Sequence, residues 1–419
     1  MKVLWVINTV FPYPAKRLGI KKTTFGGWLN GLALNLIEND IELAIATPYN
    51  CNDIIKFNDD KVTYYLVPGG LSIKYNKVQH IYWKKILQEF KPDLIHIHGT
   101  EYPHAISVLE ANEKIKTVVS IQGLVNRIAN VYLANISKRE IIRNITIRDI
   151  LRKDTLFQEQ KKFKQRGIFE KEVIKRADAI IGRTDWDYAN TKAINLKEKY
   201  YKNNETMRSS FYDDVWNIDN IERHSIFISQ GSYPIKGLHY MIQALAMLKK
   251  QYNDVKLYVG GQNITDISNL KARLKLSGYG KYILKLIKKL KVEDCIVFTG
   301  ILDEEQMKQR FLKSNVTVLP SVIENSSNSL GEAMLLGMPC VASNTGGTMD
   351  ILENKVEGYL YPYTESAMCA EYVSKIFEDD NLAIKIGKNA RKKALERHDG
   401  KKNSEEIIRI YKKIIESEE

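Results

Sequence analysis

The sequence predicts an α/β protein built from two doubly wound parallel sheets. Short apolar runs typical of buried strands alternate with amphipathic helices twice, once up to residue 182 and again from Ser225. The 419 residues exceed one ordinary core and suit two domains. A polar and aromatic stretch without periodicity, residues 200–223, separates the two alternations. We therefore expect one domain at 1–215 and a second at 216–399.

The elements of the first half follow in order. Strands are predicted at the apolar runs 3–10, 42–47, 62–67, 94–99, 117–121 and 179–182. Helices with one apolar face are predicted at 28–37 and 78–90. Between 137 and 176 the pattern changes to long helices with 13 basic and 6 acidic residues.

The second half repeats the alternation. Strands are predicted at 226–229, 255–259, 296–299 and 316–319, and helices at 238–248, 281–290 and 304–312. A last helix at 404–416 places five residues on one face: Ile407, Ile408, Tyr411, Ile414 and Ile415.

Composition and charge restrict the class of protein. The chain is 44% hydrophobic, and no apolar run reaches the roughly 20 residues that span a bilayer. Its first residues resemble a signal peptide faintly, but Asn8 interrupts them and a buried strand fits better. The four cysteines are far apart, without metal-type spacing, so we expect a reducing cytoplasm. The net charge of +13 comes without any nucleic-acid-binding motif, so an anionic surface or phosphorylated ligand is expected instead.

Two glutamates, Glu324 and Glu332, mark the most informative segment. It follows a predicted buried strand and leads into an apolar helix, where open α/β sheets bind ligands. Ser329 and Glu332 also form a good capping box, which would place Glu332 in the first turn of the helix. Capping does not explain Glu324, nor the small polar residues between the two glutamates.

The segment resembles the donor-binding signature of the family 4 retaining glycosyltransferases. The matching residues are Glu324 to Glu332, 337–339, 341–343, Gly346-Gly347, 227–231, 235–237 and 297–300. The resemblance implies the GT-B architecture, in which two Rossmann-like domains face a central cleft. It also implies that the last helix, at about 400–419, crosses back to the first domain. A nucleotide-diphosphate sugar would be the co-substrate, with no cofactor and no metal.

The resemblance also implies roles for residues of the second domain. Glu324 would hold hydroxyls of the donor sugar and Glu332 the ribose. Lys236 would hold the diphosphate together with the amides around Asn328, Ser329 and Leu330, and would assist its departure. Ser232 stands where relatives usually have an arginine, so half of a cationic clamp is missing. Arg183 is a candidate to replace it.

Residues of the first half are candidates for the donor phosphate and the acceptor. Gly26 and Gly27 open a helix, so their amides could approach a phosphate, although such a pair is also a common flexible turn. His98, at the end of its strand, and Glu101 could meet an acceptor hydroxyl, whereas a buried structural histidine is the alternative. Gln122 stands where many family members have a histidine. Since glutamine cannot act as a base, a mechanism led by the leaving group is expected.

The basic helices indicate a possible second partner. Ile141, Ile145, Ile150 and Leu151 give them an apolar side, and basic amphipathic helices bind anionic membranes. A solvated face is the alternative. A lipid-diphosphate-linked acceptor and a peripheral position on the inner face of the cell membrane would fit the first reading.

The predicted function is a retaining, metal-independent glycosyltransferase. It would move a hexose-type sugar from its nucleotide donor to a carbohydrate or lipid-linked glycan in surface polysaccharide or glycoconjugate biosynthesis. A nucleotide-sugar epimerase of the same architecture and a non-catalytic basic binding protein are the alternatives. Nucleic acid is not an expected partner.

Overall fold

The computed structural model describes residues 1–20, 27–59, 61–112 and 114–417. Gly26, one of the two predicted phosphate-approaching glycines, lies outside these ranges. The chain divides into two compact units. The first unit comprises Met1–Arg127, Lys162–Met207 and the residues from His398 onward. The second comprises Ile128–Lys161 and Arg208–Arg397.

The first unit is built on an eight-stranded sheet. Its strands are β1 Lys2–Val6, β2 Glu42–Tyr49, β3 Ile55–Asn58, β4 Val62–Pro68, β5 Leu94–His98, β6 Lys116–Ser120, β7 Ala179–Gly182 and β8 Lys199–Lys202. Their order is β3-β4-β2-β1-β5-β6-β7-β8. All neighbours pair in parallel except β3, which runs antiparallel to β4.

The second unit contains a six-stranded, wholly parallel sheet. Its strands are β9 Glu222–Ile228, β10 Lys256–Gly260, β11 Ile296–Gly300, β12 Ser314–Leu319, β13 Cys340–Ser343 and β14 Tyr359–Tyr361. Their order is β11-β10-β9-β12-β13-β14. The order reverses beside β9, and such a reversal leaves room for a ligand at the carboxyl ends of the strands.

Helices connect the strands in both units. In chain order they are α1 Pro12–Arg17, α2 Gly27–Glu38, α3 Gln79–Phe90, α4 His104–Ala111, α5 Val125–Val131, α6 Lys138–Asn144, α7 Ile147–Arg152, α8 Leu156–Arg176, α9 Asp185–Lys192, α10 Ser210–Asp213, α11 Leu238–Leu248, α12 Leu270–Lys275, α13 Gly278–Leu290, α14 Glu304–Lys313, α15 Asn328–Leu335, α16 Thr348–Ile351, α17 Ser366–Glu378, α18 Asp380–Arg397 and α19 Gly400–Glu416. Short 3₁₀ turns occupy Ile218–Asn220, Pro234–Lys236 and Glu293–Cys295.

Both faces of the first sheet are covered. Along β1, Leu4 and Val6 pack in one buried cluster, while Val3 and Trp5 pack in another on the opposite face. Helix α19 belongs to the second cluster. There the Tyr411 hydroxyl accepts a hydrogen bond from Trp5 Nε1 at 3.1 Å. The predicted class, α/β with two parallel-sheet units, is confirmed, because strands buried on both faces require helices on each side.

Several local predictions are wrong. Strands β3, β8, β13 and β14 were missed, and α1 lies in a segment for which no element was predicted. The basic region contains two short helices, α6 and α7, before the long α8. Ser327, rather than Ser329, caps α15, its Oγ accepting from the Leu330 amide at 3.4 Å. Glu332 is therefore the fifth residue of the helix and takes no part in the cap.

The division of the chain also differs from the predicted boundary at 215/216. The longer segment of the second unit begins at Arg208. The unit also includes residues 128–161, which the prediction assigned to the first domain. No helix among the described residues has both the length and the apolar character needed to cross a bilayer. Cys295 and Cys340 are buried and form no disulfide.

Candidate donor-binding site

Glu324 lies on a loop that two glycine turns hold from either side. Gly237 adopts φ +71°, and a Cβ there would lie 1.8 Å from the carbonyl oxygen of Pro320. Gly346 adopts φ +54°, and a Cβ there would lie 1.8 Å from the carbonyl oxygen of Glu324 itself. The Gly347 amide donates to that same oxygen at 3.0 Å. Only glycine allows this backbone approach, so the glycines of the signature position the carboxylate.

Lys236 forms an ion pair with Glu324. Its Nζ lies 2.5 Å from Glu324 Oε1, and the Ser321 hydroxyl donates to the same oxygen at 2.7 Å. Burial lowers the pKa of Lys236, but the Glu324 carboxylate outweighs this effect and holds the pKa above its ordinary range. The ammonium is therefore charged at neutral pH. The structure thus brings together the two residues to which the sequence assigned catalysis.

Glu332 is paired with a residue that the sequence did not single out. The Arg208 guanidinium donates to both carboxylate oxygens of Glu332, Nε to Oε1 at 2.6 Å and Nη2 to Oε2 at 2.7 Å. Two parallel bonds of this kind fix the orientation of both groups. Arg208 lies 124 residues earlier, in the stretch without periodicity, and carries no local signal that could have revealed it.

Backbone amides in two places are arranged in a way that could bind a phosphate. Helix α15 begins at Asn328, and its first amides have no partner within the helix. The amide of Leu330 is already engaged by Ser327. Near Lys236, the amides of Gly231 and Ser232 both donate to Gln230 Oε1 at 3.0 Å. A diphosphate would have to displace the Gln230 side chain to reach these two amides.

His98, in the first unit, lines a small cavity of about 30 Å³ together with Gln122 and Arg183. Its ring lies against Trp5 and Trp28, at centroid distances of 4.6 and 5.7 Å. Burial lowers the pKa of His98 to about 3. Among the residues that the structure describes, neither ring nitrogen has a hydrogen-bond partner. The imidazole that lines the cavity is therefore neutral, and both of its nitrogens are buried.

Arg183 is held inside the first unit. It lies 2.6 Å from Glu205 Oε2, and its Nη2 donates to the carbonyl oxygens of Ile121 and Gln122 at 3.1 and 3.0 Å. The Gln122 amide nitrogen donates to Glu205 Oε1 at 3.0 Å. These contacts give Arg183 a positioning role for Gln122, and they do not favour its predicted role as a cation for the diphosphate.

Glu101 and Gly27 complete the predicted set. Glu101 Oε2 accepts from Asn8 Nδ2 at 3.1 Å, and burial raises the pKa of this carboxyl to about 7. A carboxyl with such a pKa can exchange a proton near neutral pH. Gly27 is the first residue of α2. Within the described ranges, no cluster of His, Cys, Asp and Glu could hold a metal ion.

A parallel sheet with this carboxylate, lysine and amide arrangement defines a candidate nucleotide-sugar site, and comparison with known proteins gives the family. Residues 211–393 match the model of the family described as "Glycosyl transferases group 1". An uncharacterized glycosyltransferase from Methanocaldococcus jannaschii is 26% identical over 196 residues, 46% of each chain. N-acetyl-alpha-D-glucosaminyl L-malate synthase from Bacillus anthracis is 28% identical over 151 residues, 35% of this chain and 38% of that protein. These matches span less than half of the relatives' own length.

Solved structures are similar over nearly the whole chain. Sucrose-phosphate synthase from Thermosynechococcus elongatus has a TM-score of 0.71 at 15% identity, covering 99% of both chains. Anabaena HepE in complex with UDP-glucose has a TM-score of 0.64 at 18% identity, covering 98% of this chain and 99% of that one. Residues 211–393 thus belong to the group 1 glycosyltransferases, and the chain has the GT-B fold. The resemblance to glycosyltransferases that the sequence showed is confirmed for residues 211–393.

Proposed function

We propose that this protein is a retaining, metal-independent glycosyltransferase that uses a nucleotide-diphosphate sugar. The observation that carries the proposal is the arrangement of Lys236, Glu324 and Glu332 around the carboxyl end of β12. The solved structures of HepE with UDP-glucose, and of TarM with UDP and alpha-GlcNAc-glycerol, support it as examples of the same fold. The transferred group would be a hexose-type sugar.

The charges suit the departure of a phosphate. Lys236 is held in its protonated form and can balance negative charge on the leaving diphosphate. Glu324 uses Oε1 for Lys236 and Ser321, so Oε2 remains to accept bonds from donor-sugar hydroxyls. Glu332, fixed by Arg208, would hold the ribose. The first amides of α15, at Asn328 and Ser329, would bind the diphosphate, as amides at helix N-termini do.

Retention of the donor's anomeric configuration is part of the same proposal. In the proposed reaction the leaving phosphate oxygen accepts the proton of the acceptor hydroxyl, on the face from which the phosphate departs. Gln122 cannot act as a base, and its amide is engaged by Glu205. His98 and Glu101 remain candidates to orient the acceptor hydroxyl.

The acceptor would be a carbohydrate or a lipid-linked glycan at an anionic membrane. In α6 and α7, Ile142, Ile147, Ile150 and Leu151 are all exposed, Ile147 and Leu151 by 78% each. Ile141, predicted on this face, is buried instead. Exposed basic residues flank the aliphatic ones: Lys138, Arg139, Arg143, Arg152 and Lys153. Aliphatic side chains inside a basic rim fit an anionic membrane surface.

A vesicle assay tests the membrane part of the proposal. The protein should pellet with anionic vesicles and stay in solution with neutral ones. Replacing Ile147 and Leu151 by serine should release it, whereas Ile168→Ser, on α8 and exposed by 64%, should not. Binding that survives the double substitution would contradict a membrane face on α6 and α7. The place in the cell that follows is the cytoplasmic side of the membrane, in glycan biosynthesis.

Product analysis tests the transferase itself. The protein is incubated with UDP-, GDP- and ADP-sugars and a panel of glycan acceptors, and the new linkage is identified by NMR. The expected product keeps the anomeric configuration of the donor. An inverted linkage would contradict the proposed stereochemistry. Isomerised donor, formed without any acceptor, would indicate an epimerase.

A further inference from the structure

A second cavity lies in the second unit, of about 330 Å³. It is enclosed by α6, α7, the start of α8, the turn before Lys236 and the N-terminus of α13. Its volume is at the lower end of the roughly 300–1,000 Å³ typical of small-ligand sites. It contains neither Glu324 nor Glu332. No role in the donor site explains it.

One residue of the lining has a buried acceptor atom without a hydrogen-bond partner among the described residues. Asn144 lines the cavity and is 1% exposed. Its Nδ2 donates to the carbonyl oxygen of Glu140 at 2.8 Å, but no described residue donates to its Oδ1. A buried amide oxygen without a hydrogen bond is costly. A ligand hydroxyl or amine in the cavity would satisfy it.

The cationic and amide groups that line the cavity already bind carboxylates. Arg148 Nη1 lies 2.9 Å from both Asp149 Oδ1 and Asp154 Oδ1. The amide of Gly278, the first residue of α13, donates to Asp149 Oδ2 at 2.8 Å. Glu140, whose Oε1 lies 3.4 Å from Arg143 Nη1, and Glu159 also line the cavity. An anionic ligand would therefore be repelled, whereas hydroxyl and ammonium groups would be favoured.

Aromatic side chains supply the apolar part of the lining. The rings of Tyr279 and Tyr282 are stacked at a centroid distance of 6.4 Å, with 29° between their planes. Tyr279 is buried, and its hydroxyl lies 3.4 Å from His239 Nδ1, so its position is fixed. Tyr233, also in the lining, is 38% exposed. Aromatic rings beside carboxylates and an amide match the alternating C–H and O–H surfaces of a sugar.

We propose that this cavity is a saccharide subsite that takes a neutral or amino-sugar residue and rejects an acidic one. The inference rests on the proposed function in one respect, that the bound residue belongs to the acceptor glycan. Ser232 and Pro234 line the cavity and directly precede Lys236. Occupation of the subsite would therefore order the turn that carries the phosphate-binding lysine.

Saturation-transfer NMR on the full chain tests the subsite, with glucose, glucosamine and glucuronate as probes. We expect saturation transfer to glucose and glucosamine, with dissociation constants in the millimolar range, and none to glucuronate. Asn144→Leu removes the acceptor atom at similar size, and Tyr233→Ala removes an accessible ring without opening the core. Each should weaken glucose binding by about tenfold. Leu270→Ala, on α12 outside the cavity and exposed by 73%, should leave binding unchanged.

Three results would overturn the subsite: no transfer to either glucose or glucosamine, equal transfer to glucuronate, or binding that survives both substitutions. Donor binding is measured on the same samples by thermal shift, which separates the two proposals. Stabilisation by a nucleotide sugar without any glucose binding would contradict the subsite proposal but not the transferase proposal. Glucose binding that depends on Asn144 and Tyr233, without stabilisation by any nucleotide sugar, removes the transferase proposal and leaves a saccharide site.

Discussion

The guanidinium of Arg208 holds both carboxylate oxygens of Glu332, at 2.6 and 2.7 Å, across 124 residues of sequence. Arg208 is the first residue of the longer segment of the second unit, and Glu332 lies in the helix that follows the Glu324 loop. The pair therefore ties the start of this segment to the proposed ribose-binding residue.

Arg208→Ala should both destabilise the protein and weaken nucleotide binding. Removing one partner of a buried ion pair leaves the other charge uncompensated, at a cost of about 3–5 kcal/mol. Arg208→Lys should recover part of the stability but little of the affinity, since an ammonium cannot form the two parallel bonds. Urea unfolding and nucleotide titration measure the two effects. Wild-type nucleotide affinity in both variants would show that the pair is purely structural.

Lys236→Ala should lower turnover more than donor affinity. Its positive charge is needed most when the phosphate departs, so the loss appears mainly in kcat. The same assay with EDTA should give wild-type rates for the unmodified protein. A kcat that stays at the wild-type value in the alanine variant, or a strict requirement for a divalent metal, would contradict the leaving-group argument.

Gly237→Ala and Gly346→Ala should displace the Glu324 loop and abolish most activity. In each variant the new Cβ would meet a carbonyl oxygen at 1.8 Å, in addition to the cost of a left-handed backbone. Gly19→Ala is the matched control, because Gly19 has φ +66° but no described atom within 4 Å of its Cβ position. It should cost about 1–2 kcal/mol in stability and leave activity intact. Equal activity in all three variants would remove the proposed role of the two turns.

Glu101 should make stability depend on pH. Its folded pKa of about 7 lies above the ordinary value of 4.5, so in this interval the folded state binds more protons than the unfolded chain. The contribution of the carboxyl to stability is therefore greatest below 4.5 and is lost as the pH rises to about 7. Relative to Glu101→Gln, the wild type should lose stability across this interval in urea unfolding. A difference that does not change with pH would mean that Glu101 titrates normally.

Most strands and the donor loop could be predicted from the sequence, whereas β3, β8, β13 and β14 could not. Strands buried on both faces often read as apolar runs, as Val3 to Val6 of β1 do. Edge strands β3 and β8 are half exposed and polar, so they resemble loops. In the basic region, the break between α6 and α7 ends the single helical phase on which the predicted apolar face depended. Ile141 is buried on α6, whereas Ile150 and Leu151 are exposed on α7.

Site residues could be predicted from the sequence only where they form a local pattern in the chain. Glu324, Lys236 and the glycines form a signature because each lies next to a strand end or helix start. Arg208 acts through a contact that short-range patterns do not encode, because it pairs with Glu332 across 124 residues of sequence. The same limit applies to the saccharide cavity, which residues from separate segments form together.

The most direct test of the donor site is a thermal-shift titration of the wild type, Glu324→Gln and Glu332→Gln with UDP-, GDP- and ADP-sugars. One of these donors, at 100 times its dissociation constant, should stabilise the wild type by about 2.7 kcal/mol. Glu332→Gln should lose most of this stabilisation. Glu324→Gln should keep much of it but lose sugar transfer, because its carboxylate contacts the reacting sugar. No stabilisation of the wild type by any of the three donors, or equal stabilisation and turnover in all three proteins, would contradict the assignment.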